Sequence, residues 1–585
     1  MVLQSCSTGS SRCARRALII LLVWGLFVIA TVQFRHSGHK NFFFNAFSSE
    51  VGLLPDSKNE FQSDTARRFN SQKQISTSQF QPKQERSKAY GLNVHNGDNS
   101  TISNLINFQL NLVHQPLQTE DELINEIEAR LPSLPLSYWT NFIKFGQAKS
   151  TKITKQNCTP LYPNVFELEF NNLYWQTLHT SNGTFQLFDA FYDNRKLSRI
   201  GPAIRIIGMI NRIEPTVKCF CQMWFKGERE ARIVDVFEYK YIWYSKWGNY
   251  KQDIYQPYVI ACKVPQSHWQ KGPPASISLV EKRCDTAKNS LKVIYNKPPK
   301  KKDFAVCVKG LDFLHEDLSI RLIEWIELIG LLGADKIFFY QLQVHPNVSK
   351  VLQYYEQLGK VHVTPLTLPG GQPNLPAFQH MYLTKKTNHK RQNELIPYND
   401  CLYKHMYEYE YIALLDVDEV IMPVQDTTWK ELMKRVMPKA LKFKNETKAS
   451  YNVRNVYFFD DLMDSHGSFN NIPRYMHMLQ HVYRSKNFTK PNQYIKCFHN
   501  PERVVTLHNH FPLACLGAGC SSYPIDTEDA QLQHYRADCV KSLKKTCIEY
   551  REKRIQDTTI WRYKDKLVSK VRATLKILGF LNTTE

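Results

Sequence analysis

The longest apolar run in the chain is ALIILLVWGLFVIATVQF, Ala17 to Phe34, which carries no charge and only Thr31 and Gln33 as polar interruptions. As a helix rising 1.5 Å per residue it would span about 27 Å, enough for a thin bilayer. Arg12, Arg15 and Arg16 precede it while Arg35 and Lys40 follow, a small bias toward a cytoplasmic N-terminus. The run exceeds the apolar region of a cleaved leader and no A-x-A site follows it. The expectation is therefore a cytoplasmic tail (1–16), a retained signal anchor (17–34) and, from Ser, Gln, Asn, Lys and Arg without periodicity, a disordered stalk (35–115).

The pattern then changes twice. TEDELINEIEARL (119–131) reads as a helix with Thr119 as its cap and acids in its first turn. From about 157, short alternating or aromatic runs (FELEF, FQLFDAFYD, IRIIGMI, CFCQMWF, IWY, YVIACKV, ISLV) are punctuated by Gly, Pro, Asn and Asp, which predicts antiparallel strands in a β-rich accessory domain over 116–297. PPKKKD (298–303) reads as a linker. Beyond it AVCVKG (305–310), KIFFYQ (336–341), KVHVTP (360–365) and YIALL (411–415) are buried-strand runs. Helical segments lie between them: 317–336, with Gly333 at its end; 346–359, with Pro346 at its start; and the ELIPYNDCLYKHMYEY region. Such alternation predicts an α/β domain on a parallel sheet, 303–545, and a basic helical tail follows over 546–585.

Composition narrows the function classes. With 585 residues, 43% hydrophobic and 22% charged, the chain is globular in usage but too long for one core. One membrane-length run excludes a polytopic channel or transporter. Net charge is 76 − 54 = +22, yet the basic residues are scattered and match no nucleic-acid motif. The tripeptide HNH (508–510) is discounted as a nuclease signal for a lumenal chain. Of 14 cysteines none falls between Cys13 and Cys158, and twelve stand from Cys158 onward. Seven N-x-S/T triplets, beginning at Asn99, Asn157, Asn182, Asn347, Asn445, Asn487 and Asn582, all follow the apolar run. Both distributions fit an oxidised lumenal ectodomain. Cys219 and Cys221 share a strand face and are expected to bridge elsewhere, and Cys401 to be a disulfide partner.

The candidate chemistry sits where YIALL runs into DVDEVIMP (416–423). Ligands of open α/β sheets bind outside the carboxyl ends of strands. Asp416 and Asp418, one residue apart in extended chain, offer two hard oxygen donors for Mg²⁺ or Mn²⁺ with room left for a diphosphate, and Glu419 adds charge or orients them. A dication there would neutralise a departing nucleoside diphosphate, so the pattern fits a nucleotide-sugar-dependent glycosyltransferase. A non-catalytic lumenal glycan-binding protein is the rival class, and a transferase using another UDP-sugar the rival within enzymes.

CVKGLDFLHEDLSIRLIEWIELIGLLGADKIFFYQ, NDCLYKHMYEYEYIALLDVDEVIMP and HYRADC resemble glycosyltransferase family 92, which includes animal β-1,4-galactosyltransferases acting on N-glycan fucose; FYDNR…IRIIG is similar to the family's N-terminal portion, so the likeness covers roughly 157–545. The resemblance implies a GT-A fold, a UDP-sugar donor (UDP-galactose), Mn²⁺, inversion at the anomeric carbon, and a glycan or glycoprotein acceptor. With the anchor, it places a single-pass type II protein in the Golgi membrane with its catalytic domain in the lumen. It also implies a third metal ligand from the C-terminal side, His534 or His510, with His534 preferred and Tyr535 and Arg536 near the donor, Arg536 pairing with phosphate. Asp312, after the first strand, is placed at the nucleotide, and Asp400 at the donor. Inversion needs a general base; among Asp460, Asp461, Asp464, Asp526, Glu528 and Asp529, Asp461 and Asp529 are the candidates chosen. Lys496 is read as a surface lysine, with a phosphate contact as the second reading, and Trp325 as core.

Overall fold

The computed structural model describes residues 118–146, 158, 160–443, 445–539 and 544–581. The expected cytoplasmic tail (1–16), anchor (17–34) and stalk (35–115) lie outside the described residues, as do 116–117, 147–157 and 159 of the accessory segment. Among the described residues no helix is long and apolar enough to cross a membrane.

Helix α1 (Glu120–Arg130) begins as its sequence predicts. The Thr119 side chain accepts from the Glu122 amide and the Glu122 side chain accepts from the Thr119 amide, a reciprocal cap. After α2 (Leu136–Gly146) come nine strands: β1 (Phe170–Asn172), β2 (Trp175–Thr180), β3 (Gly183–Asp193), β4 (Ala203–Ile210), β5 (Phe220–Trp224), β6 (Arg232–Tyr241), β7 (Gln256–Lys263), β8 (Ser276–Val280) and β9 (Leu291–Ile294). Their order is β1-β2-β3-β4-β7-β6-β5-β8-β9, and β9 returns to pair with β3, which closes seven of them into a barrel. All pairs are antiparallel except β3–β9, where the chain must return in the same direction. Inside lie Leu187, Ile204, Ile206, Ile260, Ile277 and Leu279, and closure leaves these strands no open edge. IWY, expected as a strand, lies after β6, whose own alternation RIVDVFEYKY carries the pairing instead.

The second half is a mixed α/β structure. Strands β10 (Lys302–Phe313), β11 (Lys336–Val344), β12 (Val361–Pro365) and β13 (Tyr409–Leu414) run parallel in the order β12-β11-β10-β13. Helix α3 (Ser319–Leu332) follows β10 and α4 (Pro346–Gln357) follows β11, with α5 (Pro376–Lys385) and α6 (Thr387–His405) between β12 and β13. Gly333 ends α3 at φ 104°, a conformation that costs a side-chain-bearing residue, and its amide bonds back to Gly330 and Ile329. Next come β14 (Glu419–Pro423), α7 (Trp429–Phe443), β15 (Ser450–Val453), β16 (Asn455–Phe459), α8 (Asp460–His466), α9 (His477–Gln480), β17 (Tyr483–Ser485), β18 (Lys496–His499), β19 (Val504–Leu507), β20 (Pro512–Cys515), β21 (Ser522–Pro524) and β22 (Ala530–Arg536). β18, β15 and β21 extend the parallel sheet beyond β13, whereas β14 leaves it for a separate sheet ordered β14-β22-β16. The tail expected to be helical is two helices, α10 (Lys544–Glu552) and α11 (Lys564–Ile577), interrupted by β23 (Arg554–Gln556).

Helix α6 joins the halves. Its Leu395, Ile396, Tyr398, Cys401 and Leu402 belong to one core cluster with Phe191, Ile207 and Val259 of the barrel and Ala305, Cys307 and Phe338 of the parallel sheet. Its buried Lys404 bridges Asp189 of β3 (2.8 Å) and Asp400 (2.7 Å). Cys401 pairs with Cys307, and the other disulfides are Cys158–Cys284, Cys221–Cys262, Cys515–Cys520 and Cys539–Cys547. Cys219, expected in a bridge, is a buried free thiol, as is Cys497.

A second buried pair ties the two halves. Arg195 bonds Asp193 through Nε and Nη2 at 2.8 Å and gives Nη1 to the carbonyls of Pro501 and Val504. Burial opposes the Asp193 charge, but Arg195 and Arg205 outweigh it and hold its carboxyl down at about 2. Because the folded value lies below the unfolded one, this stabilisation is complete above the ordinary carboxylate range and is lost only as pH falls toward 2. Asp193→Ala removes the buried counter-ion of Arg195 and one of the two acids beside Arg205, which keeps Glu238 at 3.7 Å, and should cost about 3–5 kcal/mol in denaturant unfolding. A change under about 1 kcal/mol would mean that water or rearrangement already serves those cations.

Candidate functional site

Strand β13 ends at Leu414 and β14 begins at Glu419, so Asp416, Val417 and Asp418 form the short connection at the carboxyl end of a parallel strand. The connection is clamped by its own third acid. Glu419 donates its amide to the Asp416 carbonyl (3.0 Å), and its Oε2 accepts from the Asp416 amide (3.0 Å). From below, the indole of the fully buried Trp325 donates to the Glu419 carbonyl at 2.8 Å. Trp325 is thus core, as expected, and also a prop for this turn.

Strand register brings the C-terminal motif alongside. β14 and β22 are antiparallel with Glu419 opposite His534, and β22 is parallel to β16 with His534 opposite Tyr457. The Tyr535 amide donates to the Asp418 carbonyl at 2.9 Å. His534 Nε2 stands 3.3 Å from Asp418 Oδ2, while its Nδ1 faces Asn455 Nδ2 (3.3 Å) and Glu419 Oε1 (3.6 Å). Two ligands about 2.1 Å from one ion are about 3–3.4 Å apart, so Asp418 and His534 are spaced to share a dication. His510, the other histidine considered, turns its Nδ1 to the Ile495 carbonyl at 2.9 Å.

Asp416 faces cations instead. Lys309 of β10 is 3.2 Å from its Oδ1 and Lys496 of β18 is 3.6 Å from its Oδ2; Lys496 also meets Glu419 Oε2 at 3.0 Å. Lys496, expected at the surface, is fully buried, because β18 pairs beside β13 and carries it beneath the turn. Its ammonium also donates to Asn509 Oδ1 (2.5 Å), which accepts from the Tyr398 hydroxyl (3.0 Å). Burial works against ionising Asp416, but Lys309 and Lys496 outweigh it and hold the carboxyl well below the usual carboxylate range. For Asp418 the same opposition is won by His534. Burial prevails at Glu419 and raises it, despite Lys496.

A cleft of about 500 Å³ opens over this turn, with Lys309, Gly310, Arg321, Asp416, Asp418, His477, Tyr535 and Arg536 on its walls, a size suited to a small-molecule ligand. The remaining sequence candidates lie elsewhere. Asp312 accepts from Gln343 Nε2 (2.7 Å), faces His380 (3.1 Å) and lines a small neighbouring cavity. Asp400 is not at the cleft: it is buried against Tyr340 (2.5 Å) and Lys404, where α6 meets the barrel. Asp461 projects from α8 to Arg551 (3.2 Å), half exposed. Asp529 is bound by Arg435 and Lys439 (2.7 Å). It precedes Ala530, which pairs with Pro423, four residues or about 13 Å along β14 from Glu419. Neither Asp461 nor Asp529 lines the cleft, because both are held in ion pairs away from it. Lys309, Tyr398 and Asn509 were not among the sequence candidates. Lys309 had one legible sign, a lone charge in the apolar run AVCVKG; Asn509 had none.

Residues 302–571 match the model of Glycosyltransferase family 92. No curated protein matches. Among solved structures, a chain assigned as a glucose-1-phosphate thymidylyltransferase from Bacillus anthracis is 9% identical, with 34% of this chain and 72% of that chain covered at a TM-score of 0.16. The apo structure of the bifunctional glycosyltransferase WbbM is 10% identical, with 37% of this chain and 36% of that chain covered at a TM-score of 0.16.

The two kinds of charged group in the turn should separate on mutation. Lys496→Ala leaves the buried Glu419 without its ammonium partner, while Asp416 keeps Lys309, and should destabilise the protein by about 3–5 kcal/mol. The Asp418 side chain is 42% exposed, so Asp418→Ala should melt within about 1 kcal/mol of wild type. Equal losses for both would show that Asp418 is structural.

Proposed function

Because residues 302–571 match the model of Glycosyltransferase family 92, we propose that the chain is an inverting transferase that moves galactose from UDP-galactose to a glycan acceptor such as N-glycan fucose. The observation that carries this reading is the Asp416–Asp418 turn at the carboxyl end of β13, opening on a ligand-sized cleft with His534 beside Asp418. In the same reading the protein sits in the Golgi membrane as a single-pass type II protein, held by the apolar run 17–34, with the GT-A domain in the lumen.

Asp418 and His534 would hold Mn²⁺, which when bound would supply positive charge to the leaving diphosphate, while Asp416, expected as a ligand, stays paired with Lys309 and Lys496. The chain's own residues do the rest. Lys309 and Lys496 keep Asp416 ionised, and Arg536, on the cleft wall, offers its guanidinium to phosphate oxygens. The acceptor hydroxyl attacks the anomeric carbon as its bond to the diphosphate breaks, and the hydroxyl proton passes to a carboxylate of the cleft. Beyond Asp416 and Asp418, the carboxylates lining the cleft are Glu316 and Asp538; Asp538 is paired with Arg551 at 2.8 Å, so the base role falls to Glu316 rather than to Asp461 or Asp529.

The test is UDP release by the purified protein across a panel of UDP-sugars and N-glycan acceptors, with Mn²⁺ or with EDTA. The expected result is metal-dependent release with UDP-galactose, lost about 100-fold or more in Asp418→Ala. Release at the wild-type rate by a folded Asp418→Ala protein would overturn the assignment of this turn. A different preferred UDP-sugar would overturn only the donor.

A further inference from the structure

A second convergence of metal-type ligands stands apart from the Asp416–Asp418 turn. Asp460 at the start of α8, His477 at the start of α9 and His481 just after it bring one carboxylate oxygen and two imidazole nitrogens within 4.8 Å of one another. Asp460 Oδ1 is 3.3 Å from His477 Nε2 and 3.2 Å from His481 Nε2. The sequence HMLQH sets the two histidines four residues apart, on one side of a helical turn. That turn is fixed from beneath by the buried Glu324, which accepts from the Met478 amide (2.9 Å) and the Leu479 amide (3.1 Å).

The decisive detail is the orientation of His481. Its Nδ1 lies 2.6 Å from the His477 carbonyl oxygen. A carbonyl only accepts, so Nδ1 carries a hydrogen and Nε2 is the ring atom turned toward Asp460. His481 is only 2% exposed, and that Nε2 makes no hydrogen bond although it stands beside the Asp460 carboxylate. A ring nitrogen 3.2 Å from a carboxylate oxygen needs a positive charge between them, a proton or a metal ion. The Nδ1 contact to a backbone carbonyl is also the arrangement by which metal-binding imidazoles are oriented. Arg321 does not fill the role: it sits 3.7 Å from Asp460 on the other oxygen, Oδ2, which leaves Oδ1 for the two rings.

We propose that Asp460, His477 and His481 form a cation site, separate from the Asp416–Asp418 turn, for a transition-metal ion of the Zn²⁺ type. A tetrahedral ion with ligands at about 2.0–2.2 Å sets its donors about 3.3–3.6 Å apart, close to the two spacings found. Two imidazoles and one carboxylate suit Zn²⁺ better than the all-oxygen shells of Mg²⁺ or Ca²⁺. Three protein ligands leave one position open, and His477 lines the cleft. The site does not depend on the donor or acceptor assigned above.

The test is Co²⁺ titration of the purified, metal-stripped full-length protein, read by the visible absorption of four-coordinate Co²⁺. Asp418→Ala serves as background, so that metal held at the other turn is not counted. One equivalent of saturable Co²⁺, displaced by Zn²⁺, is the expected result. Adding His477→Asn or His481→Ala should weaken binding at least about tenfold, with thermal melting showing that the variant is folded. Should His481→Ala fail to fold, the partly exposed His477→Asn decides. Absence of saturable Co²⁺ binding in the Asp418→Ala protein, or binding unchanged by His477→Asn, overturns the proposal.

Discussion

A buried ammonium group governs the architecture around the cleft. Lys496 has no exposed surface and lies within reach of Asp416, Glu419 and Asn509. Placing three acids in four residues at a strand end concentrates negative charge where desolvation already disfavours it. Lys496 and Lys309 reverse that balance for Asp416, and Glu419 uses its carboxylate to hold the turn rather than to face the cleft. Asp418, the outermost of the three, is left facing His534. The division of labour among neighbouring acids therefore follows from two lysines meeting Asp416, one lysine and the turn's own amide meeting Glu419, and neither lysine pairing with Asp418.

This arrangement requires strands that are distant in sequence to be adjacent in space. Lys309 comes from β10, Lys496 from β18 and His534 from β22, and each is set by pairing with or beside the chain that carries the turn. The barrel contributes indirectly. Barrel and parallel-sheet residues share one core cluster with α6, so Tyr398, which reaches the Asp416 neighbourhood, rests on a helix that both halves help to bury. Removing the barrel would expose one side of that helix.

The parallel strands and their first two helices were legible because each unit carries its own punctuation: Gly333 ends α3 and Pro346 starts α4. Strand β6 was harder to read, since its half-exposed RIVDVFEYKY mixes charge with apolar residues, and IWY beyond it looked more strand-like. In the site, Asp416 and Asp418 were visible because the strand and the acids are contiguous in sequence. His534 was visible through the family resemblance. Lys496 was misread because a lysine in YIKCF carries no mark of its burial, which arises only from β18 lying between β13 and β15. Asp461 and Asp529 were chosen from a set of acids by position along the chain, and the fold pairs both with basic residues elsewhere. The spacing of His477 and His481 stood in the sequence, but Asp460 joins them only through the folding of α8 against α9.

The return of β9 to β3 has a consequence for the order in which the chain matures. Ala190 and Phe191 pair with Val293 and Ile294, so the ring of strands is incomplete until about a hundred intervening residues have been synthesised, and contacts of such long sequence separation form slowly. The first strand of the parallel sheet begins at Lys302, only a few residues later. Every strand of the ring is thus made before α6 (Thr387–His405), which helps to cover it, whereas β13, a partner of β10, is made only after that helix.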